Sequence, residues 1–565
     1  MTELLAEMDS MVVFFRNESR SEAIVLFALV LIIGIALSVY LYSGPNPSYD
    51  DVTYAALARE VIMGKASFAL SKFAFGLLGI FQISAFFYVF GYGGLQGVAG
   101  SFVDYVMMVF LIFLCGKELG GKRGNWFGAT AAYIGATFPF ISPYVFRILL
   151  DIPLGMMAAL SVYLFLKMLK NTHNRVFPVL FGLATASLIY IKTEGYLLIL
   201  ASFLSLVMVY FLEKHVRRFR IGNKTRTKNV VTPERLLFFA IGVAAIIISE
   251  SVVYYFLEQS PLFVFKNYIN IPNYYSVWHD IVVMFSPYTV SKAALMNEQS
   301  SPGIFFDLAI VGGVVAVLRR NSKMVYLFMV VAISILYFIF GPNSVAFLLS
   351  PGSGADSSYN TILFVFRYLA IIAPFLSLLC AYLLFEILDA MKGLTTPRAG
   401  RYMTLVIFLI LATAQVPIYL GLHILNSVIY EEGLSYQKVV ALAVGLSGNG
   451  PITFYISSGT GVTNNEDFTM FSALQFYSKY NDTYRFKVIG ALVWPSTDNF
   501  SSICKSPPKN SFLVNNYILG LAQTQNRAII TKWLGSNCTA TYLGNFTVAS
   551  VYDIMQVYRI SQNGT

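Results

Sequence analysis

The chain has 565 residues, of which 57% are hydrophobic and only 12% charged, with a formal net charge of +10. That is about half the charged fraction of a soluble globular protein, and it excludes a single water-soluble domain. The positive charge does not point to nucleic acid: the Lys and Arg residues fall in short linkers between apolar segments, and no aromatic stacking platform accompanies them. A membrane, with its positive-inside bias and its anionic lipid surface, explains them instead.

Apolar stretches of about 20 residues recur along the chain, each long enough to cross the hydrocarbon core. The first, Ile24 to Tyr42, lacks a small-residue cleavage site after it and reads as a retained span, not a signal peptide. In chain order the expected spans lie near residues 22–42, 98–116, 125–141, 151–169, 176–193, 196–212, 236–257, 303–318, 324–340, 367–388 and 403–425. About eleven spans put the termini on opposite sides. The linkers with Lys117, Lys122 and Arg123, with Lys167, Lys170 and Arg175, with "EKHVRRFRIGNKTRTKNV", with "RRNSK" and with "MKGLTTPRAGR" all fall on one side, which the charge rule makes cytoplasmic together with the N-terminus.

Residues 426–565 then lie outside, in the extracellular or lumenal space. They hold five acceptor patterns for N-glycosylation, at Asn481, Asn499, Asn537, Asn545 and Asn563. "ITFYISS" and "SFLVNN" have strand character, "FTMFSALQFYSKY" has helical spacing, and "TVASVYDIMQVYRI" mixes alternation with a long apolar face, so a small α/β domain is expected. Cys504 and Cys538 either form a disulfide in an oxidising compartment or stay as two thiols. Residues 1–425 form the membrane domain, with external loops at 43–97 and 259–302. The second loop is aromatic and reads either as a lid over a site, with His279 and Asp280 in it, or as an interfacial anchor.

Ionisable residues at a membrane boundary are costly and mark function by default. Asp50 and Asp51 end the first span, Arg147 and Asp151 lie between the third and fourth, Lys192 and Glu194 end the fifth, and Arg367 opens the tenth. All face outward under this topology. A carboxylate can take a proton from a hydroxyl while cations stabilise a departing phosphate. Asp104 and Glu250, by contrast, read as buried groups hydrogen-bonded between helices. No HExxH or Cys/His spacing suggests zinc, and no GxxxxGK[ST] or GxSxG turn is present.

"DDVTYAALARE" at Asp50 resembles the D-[DE]-x-x-Y-x-x-x-A-R-E segment of the superfamily C glycosyltransferases, among them the dolichyl-phosphate-mannose protein mannosyltransferases and the lipid A aminoarabinose transferases. "GKELGG" at Gly116, "RILLDIPLGMMAALSVYLFLK" at Arg147, "YIKTEGYLLIL" at Tyr190 and "FRYLAIIAPF" at Phe366 continue the resemblance in the family's order. The resemblance covers about residues 22–390 and does not reach the tail, so the expected fold, an α-helical polytopic membrane protein with a C-terminal extracytoplasmic α/β domain, rests for its last part on the strand and helix patterns above. The implied activity is inverting transfer of a single sugar from a polyprenyl or dolichyl phosphate to a hydroxyl acceptor, on the outer face of the plasma membrane or endoplasmic reticulum. By the same resemblance Asp50 is the catalytic base, Asp51 its neighbour and Asp151 the residue that orients base or acceptor. Arg147, Lys192, Glu194, Arg367, Tyr54 and Arg59 are implied to serve donor binding. The family reading requires no cofactor, although the carboxylates are compatible with Mg²⁺ or Mn²⁺. The W-W-D-Y-G hallmark of oligosaccharide transfer to Asn is absent. The competing expectation is a transporter or flippase for a lipid-linked or anionic substrate, which would place its charges near mid-membrane on broken helices. The helix from Val52 is expected to lie flat, with Val52, Ala55, Ala56, Ala58, Val61 and Ile62 toward the bilayer.

Overall fold

The computed structural model describes residues 20–42, 44, 50–64, 76–171, 173–219, 231–258, 260–261, 303–349, 366–392, 413, 415–448, 450–458, 473–474, 476–477, 484–488, 510–518, 538–548 and 553–562. Within them run α1 (Arg20–Leu41), α2 (Asp50–Ile62), α3 (Leu77–Phe90), α4 (Gly94–Leu119), α5 (Gly124–Ala136), α6 (Asp151–Lys170), α7 (Val176–Ser187), α8 (Gly195–Phe219) and α9 (Pro233–Glu258). Then come α10 (Ile304–Leu318), α11 (Ser322–Leu349), α12 (Ala373–Lys392) and α13 (Val416–Ser447). Short 3-10 turns, Ser142–Tyr144, Leu188–Tyr190 and Phe366–Ile372, precede α6, α8 and α12.

The protein is an integral membrane protein: six helices among the described residues are long and apolar enough to cross a membrane, and four apolar helices are shorter. One expected span ends early for a local reason. The segment expected at 125–141 is α-helical only to Ala136, because Pro139 removes a backbone donor and restricts the residue before it. A second proline, Pro143, then sits in the 3-10 turn that leads to α6.

The loop at 43–97 contains two helices. The unexpected one, α3, is 14 apolar residues, about 21 Å, too short for the hydrocarbon core. It covers α2. Val52, Ala55, Ala56 and Ala58 are therefore buried inside the protein, not turned to the bilayer, and Val61 and Ile62 pack partly buried against the same core. Ser84 of α3 donates to the Ala58 carbonyl at 3.0 Å, which fixes the two helices together.

Close packing between α4 and α5 depends on small residues, as in other membrane helix pairs. A Cβ on Gly116 would lie 2.6 Å from the Cα of Gly128, and one on Gly128 would lie 2.6 Å from the Phe113 carbonyl.

The bundle has two charged ends. At one, Arg123 meets Asp389 at 2.5 Å, Glu118 meets Lys167 at 2.5 Å and Lys170 at 2.9 Å, Arg175 meets Glu234 at 2.8 Å, and Arg319 meets Glu386 at 3.6 Å. The cations in these pairs belong to three of the five basic linkers. Asp151 starts α6 and Lys167 lies in its last turn, so the second charged end is about 24 Å from the first.

After the bundle, α13 continues to Ser447, well past the residue 425 expected to end the last span. The sheet follows, with strands β1 (Ile452–Ser458), β2 (Tyr484–Val488), β3 (Ser511–Ile518), β4 (Cys538–Val548) and β5 (Asp553–Gln562) in the order β2-β1-β3-β5-β4. β1 pairs in parallel with β2 and β3, and β5 is antiparallel to both β3 and β4. The expected strands at "ITFYISS" and "SFLVNN" are β1 and β3, and Ala473, Leu474, Phe476 and Tyr477 of the expected helix are helical. Asn545 lies in β4 opposite Gln556, and Cys538 opens that strand. Cys504, Asn481, Asn499, Asn537 and Asn563 lie outside the described residues.

Gly128→Val is expected to separate α4 from α5 and cost about 1–3 kcal/mol, read as a lower melting temperature in detergent. Gly445→Ala, where an added Cβ meets nothing within 4 Å, should leave the melting temperature unchanged or raise it.

Candidate active site

Three short segments at one end of the bundle carry the charges: the first turn of α2, the stretch from Arg147 to Asp151 that enters α6, and the turn from Leu188 to Glu194 that enters α8. The 3-10 turn at Phe366–Ile372 packs beside α6, where a Cβ on Gly155 would stand 3.0 Å from the Ala370 carbonyl.

Asp51 is buried and fully engaged. Arg147 donates to its Oδ2 from Nε at 2.9 Å and from NH2 at 2.7 Å, and the Ile148 backbone N–H donates to its Oδ1 at 2.5 Å. The Arg147 guanidinium also lies 5.6 Å from the Tyr144 ring centroid. A buried carboxylate is tolerated only when it is paired and hydrogen-bonded, and this one has three donors. Its two oxygens are thus already occupied by groups of the entry to α6.

Asp151 is the first residue of α6, where the helix dipole favours its charge. Lys192 donates to its Oδ1 at 2.8 Å and lies 3.5 Å from Glu194. The same ammonium sits 4.2 Å from the centroid of Tyr368. One cation between two buried carboxylates leaves the trio with a net charge of about −1 when all are ionised. Lys192 and Arg147, expected to face a phosphate, thus reach carboxylates in this structure.

Tyr54, on α2, is buried in the hydrophobic core. Arg59, in the last turn of α2, is half-buried over the Tyr92 ring at 5.8 Å, and among the described residues its Nε has no hydrogen-bond partner. Asp50 is the first residue of α2 and Arg367 the second of its 3-10 turn; the side chains of both lie outside the described residues, as do His279 and Asp280 entirely. Tyr368 and the Ile148 N–H were not singled out from the sequence, though the R-Y pair at 367 and 368 was the available signal for the tyrosine. Among the described residues no group of three or more His, Cys, Asp or Glu side chains is arranged to hold a metal ion.

Asp104 and Glu250 behave as interhelical hydrogen-bond acceptors. Gln82 of α3 donates to Asp104 of α4 at 2.8 Å, and Tyr196 of α8 donates to Glu250 of α9 at 2.5 Å.

Residues 76–226 match the family model described as dolichyl-phosphate-mannose-protein mannosyltransferase. That stretch holds Arg147, Asp151, Lys192 and Glu194 and stops short of α2. The structure resembles ArnT from Cupriavidus metallidurans in the apo state, with a TM-score of 0.52 and 14% identity over 95% of this chain and 97% of that one. It resembles the same protein bound to undecaprenyl phosphate with a TM-score of 0.50, at 14% identity over 95% and 98%. The Archaeoglobus fulgidus oligosaccharyltransferase, tethered with an acceptor peptide containing the NVT sequon, gives a TM-score of 0.51 and 12% identity over 94% of this chain and 74% of that one. No curated protein sequence matches the chain. The fold is that of the superfamily C integral-membrane glycosyltransferases.

Arg147→Ala strands Asp51 as an uncompensated buried charge and is expected to cost about 3–5 kcal/mol. The double variant Asp51→Ala/Arg147→Ala should lose less than Arg147→Ala alone. Thermal melts of the single and double variants in detergent check the sign of that coupling.

Proposed function

We propose that this chain is an inverting glycosyltransferase that moves a single sugar from a polyprenyl or dolichyl phosphate to a hydroxyl acceptor. The observation that carries the reading is the convergence of buried, ion-paired carboxylates at one end of a superfamily C bundle. The alternative of a transporter is less well supported, since its binding charges belong near mid-membrane and these lie at the N-terminal ends of α2 and α6. The single sugar, as opposed to an oligosaccharide, is supported by the mannosyltransferase family model and by the missing W-W-D-Y-G motif.

The roles divide by what each carboxylate can still do. Asp51, held by Arg147 and the Ile148 N–H, positions the start of α2. Its neighbour Asp50 takes the proton of the acceptor hydroxyl. The hydroxyl oxygen attacks the anomeric carbon from the face opposite the phosphate, through an oxocarbenium-like transition state. The bond from that carbon to the phosphate oxygen breaks, and the lipid phosphate leaves with the electron pair. Arg59 and Arg367 are the cations assigned to its developing charge. Asp151 and Lys192 hold the acceptor side of the site in register.

Mannose is the favoured sugar by the family model alone. The basic end of the bundle faces the cytoplasm in this reading, and the site and the sheet domain face outward, in the plasma membrane or the endoplasmic reticulum. Lys192 stands between Asp151 and Glu194, where a divalent cation would otherwise go, so no step is assigned to a metal.

The test uses purified protein in lipid nanodiscs with polyprenyl-phosphate mannose, glucose and a pentose, following release of lipid phosphate. Asp50→Asn is expected to lower release by about 10²–10⁴-fold, the usual contribution of a general base. Unchanged release in this variant, or none from any donor by the wild type, contradicts the assignment. Chelation by EDTA should leave the wild-type rate unchanged.

A further inference from the structure

A second polar cluster lies one helical turn from the Lys192–Glu194 turn and has no part in the roles above. Tyr190 ends the 3-10 turn before it, and Tyr196 is the second residue of α8. Facing them, α9 contributes Glu250 and, one turn on, Tyr254 on the same inner face. Tyr190 and Tyr196 pack with Tyr254 and with Leu77 of α3.

Glu250 is only 4% exposed. Its Oε2 accepts from Tyr196 OH at 2.5 Å, whereas its Oε1 is buried and, among the described residues, has no hydrogen-bond partner. A carboxylate oxygen left bare in this way carries a desolvation cost that native proteins rarely leave unmet. A second hydroxyl of the cluster is committed elsewhere, since Tyr190 OH donates to Ser249 Oγ at 2.9 Å. Among the described residues no donor meets Oε1, so a ligand can supply one.

We propose that Glu250 Oε1 accepts a hydrogen bond from a hydroxyl of the donor's sugar, with Tyr196 fixing the carboxylate and the tyrosine rings flanking the sugar. The chemistry fits a neutral polyol: a carboxylate and aromatic faces suit hydroxyls and C–H edges, and would repel a phosphate. The position favours the lipid-linked donor over the acceptor. Glu250 is on the inner face of a helix whose outward residues, among them Ile241, Ile247, Ile248, Val252 and Phe256, are exposed and apolar, which is the side from which a lipid-carried molecule arrives. Glu250 is also about 25 Å along α9 from Pro233 at the basic end, level with the start of α8 and so with the candidate site. This subsite deepens the transferase reading and rests on it.

The test measures kcat/KM for lipid-phosphate release by the full chain in nanodiscs. The donors are the polyprenyl-phosphate sugar that the wild type uses best and its monodeoxy analogues, one hydroxyl removed at a time. Glu250→Gln is expected to lower kcat/KM for the complete donor by roughly 10- to 100-fold, the range for a hydrogen bond to a charged group. For one analogue, the one that lacks the recognised hydroxyl, wild type and variant should be equal. A loss of the same size on every analogue makes Glu250 structural and overturns the subsite, as does no loss at all. Should Glu250→Gln fail to fold, Tyr196→Phe reads the same pattern, because it removes the group that aims the carboxylate. Wild-type protein that turns over no donor overturns the transferase reading and the subsite with it; turnover with uniform losses overturns the subsite alone.

Discussion

The buried pair between Asp51 and Arg147 is the constraint from which the rest of the site follows. It joins residues 96 positions apart, and it does so at the point where the first loop helix meets the entry to α6. In a low-dielectric surrounding a buried carboxylate is tolerated only where it is paired with a charge and hydrogen-bonded. Two guanidinium N–H groups and one backbone N–H meet that condition for Asp51. Because the Ile148 N–H is one of the donors, the pair fixes backbone as well as side chain. The start of α2, and Asp50 with it, is held against the turn that presents Asp151.

A second consequence is electrostatic order along α6. Asp151 occupies its first turn and Lys167 and Lys170 its last, so each end carries the charge that the helix dipole favours. Glu118 gathers both lysines at the far end, and Lys192 meets Asp151 at the near one. The bundle thereby separates a basic end, made of ordinary boundary ion pairs, from an end where three buried carboxylates, Asp51, Asp151 and Glu194, meet two cations, Arg147 and Lys192. That separation is what a transferase working at a membrane surface requires, since its lipid phosphate lies at headgroup depth while the acceptor comes from water.

Much of this was legible in the sequence because charges in an apolar chain are few and costly. Asp51, Arg147, Asp151, Lys192 and Glu194 were brought to one face by span counting alone, and the structure brings them into two contacting clusters. Partner choice was not legible. Arg147 and Lys192 look like phosphate ligands when read singly, and only the fold shows that each meets a carboxylate first. The alanines of α2 misled for a related reason: periodicity marks an apolar face but cannot tell lipid from protein as its neighbour, and the covering helix α3 is an apolar run too short to register as a span. Pro139, in contrast, gave a clear local signal for the early end of α5 that hydropathy windows smooth over. Glu250 was correctly read as hydrogen-bonded between helices, but the unpaired second oxygen depends on atoms that no pattern encodes.

Hydrogen exchange on α2, compared between wild type and Arg147→Ala in nanodiscs, tests this account most directly. If the Asp51–Arg147 pair holds the site together, the variant loses protection at the amides of residues 51–58 while those of α4 and α12 stay protected. Protection of α2 that is unchanged, or that falls equally throughout the bundle, would show that the pair is one contact among many and not the one on which the site depends.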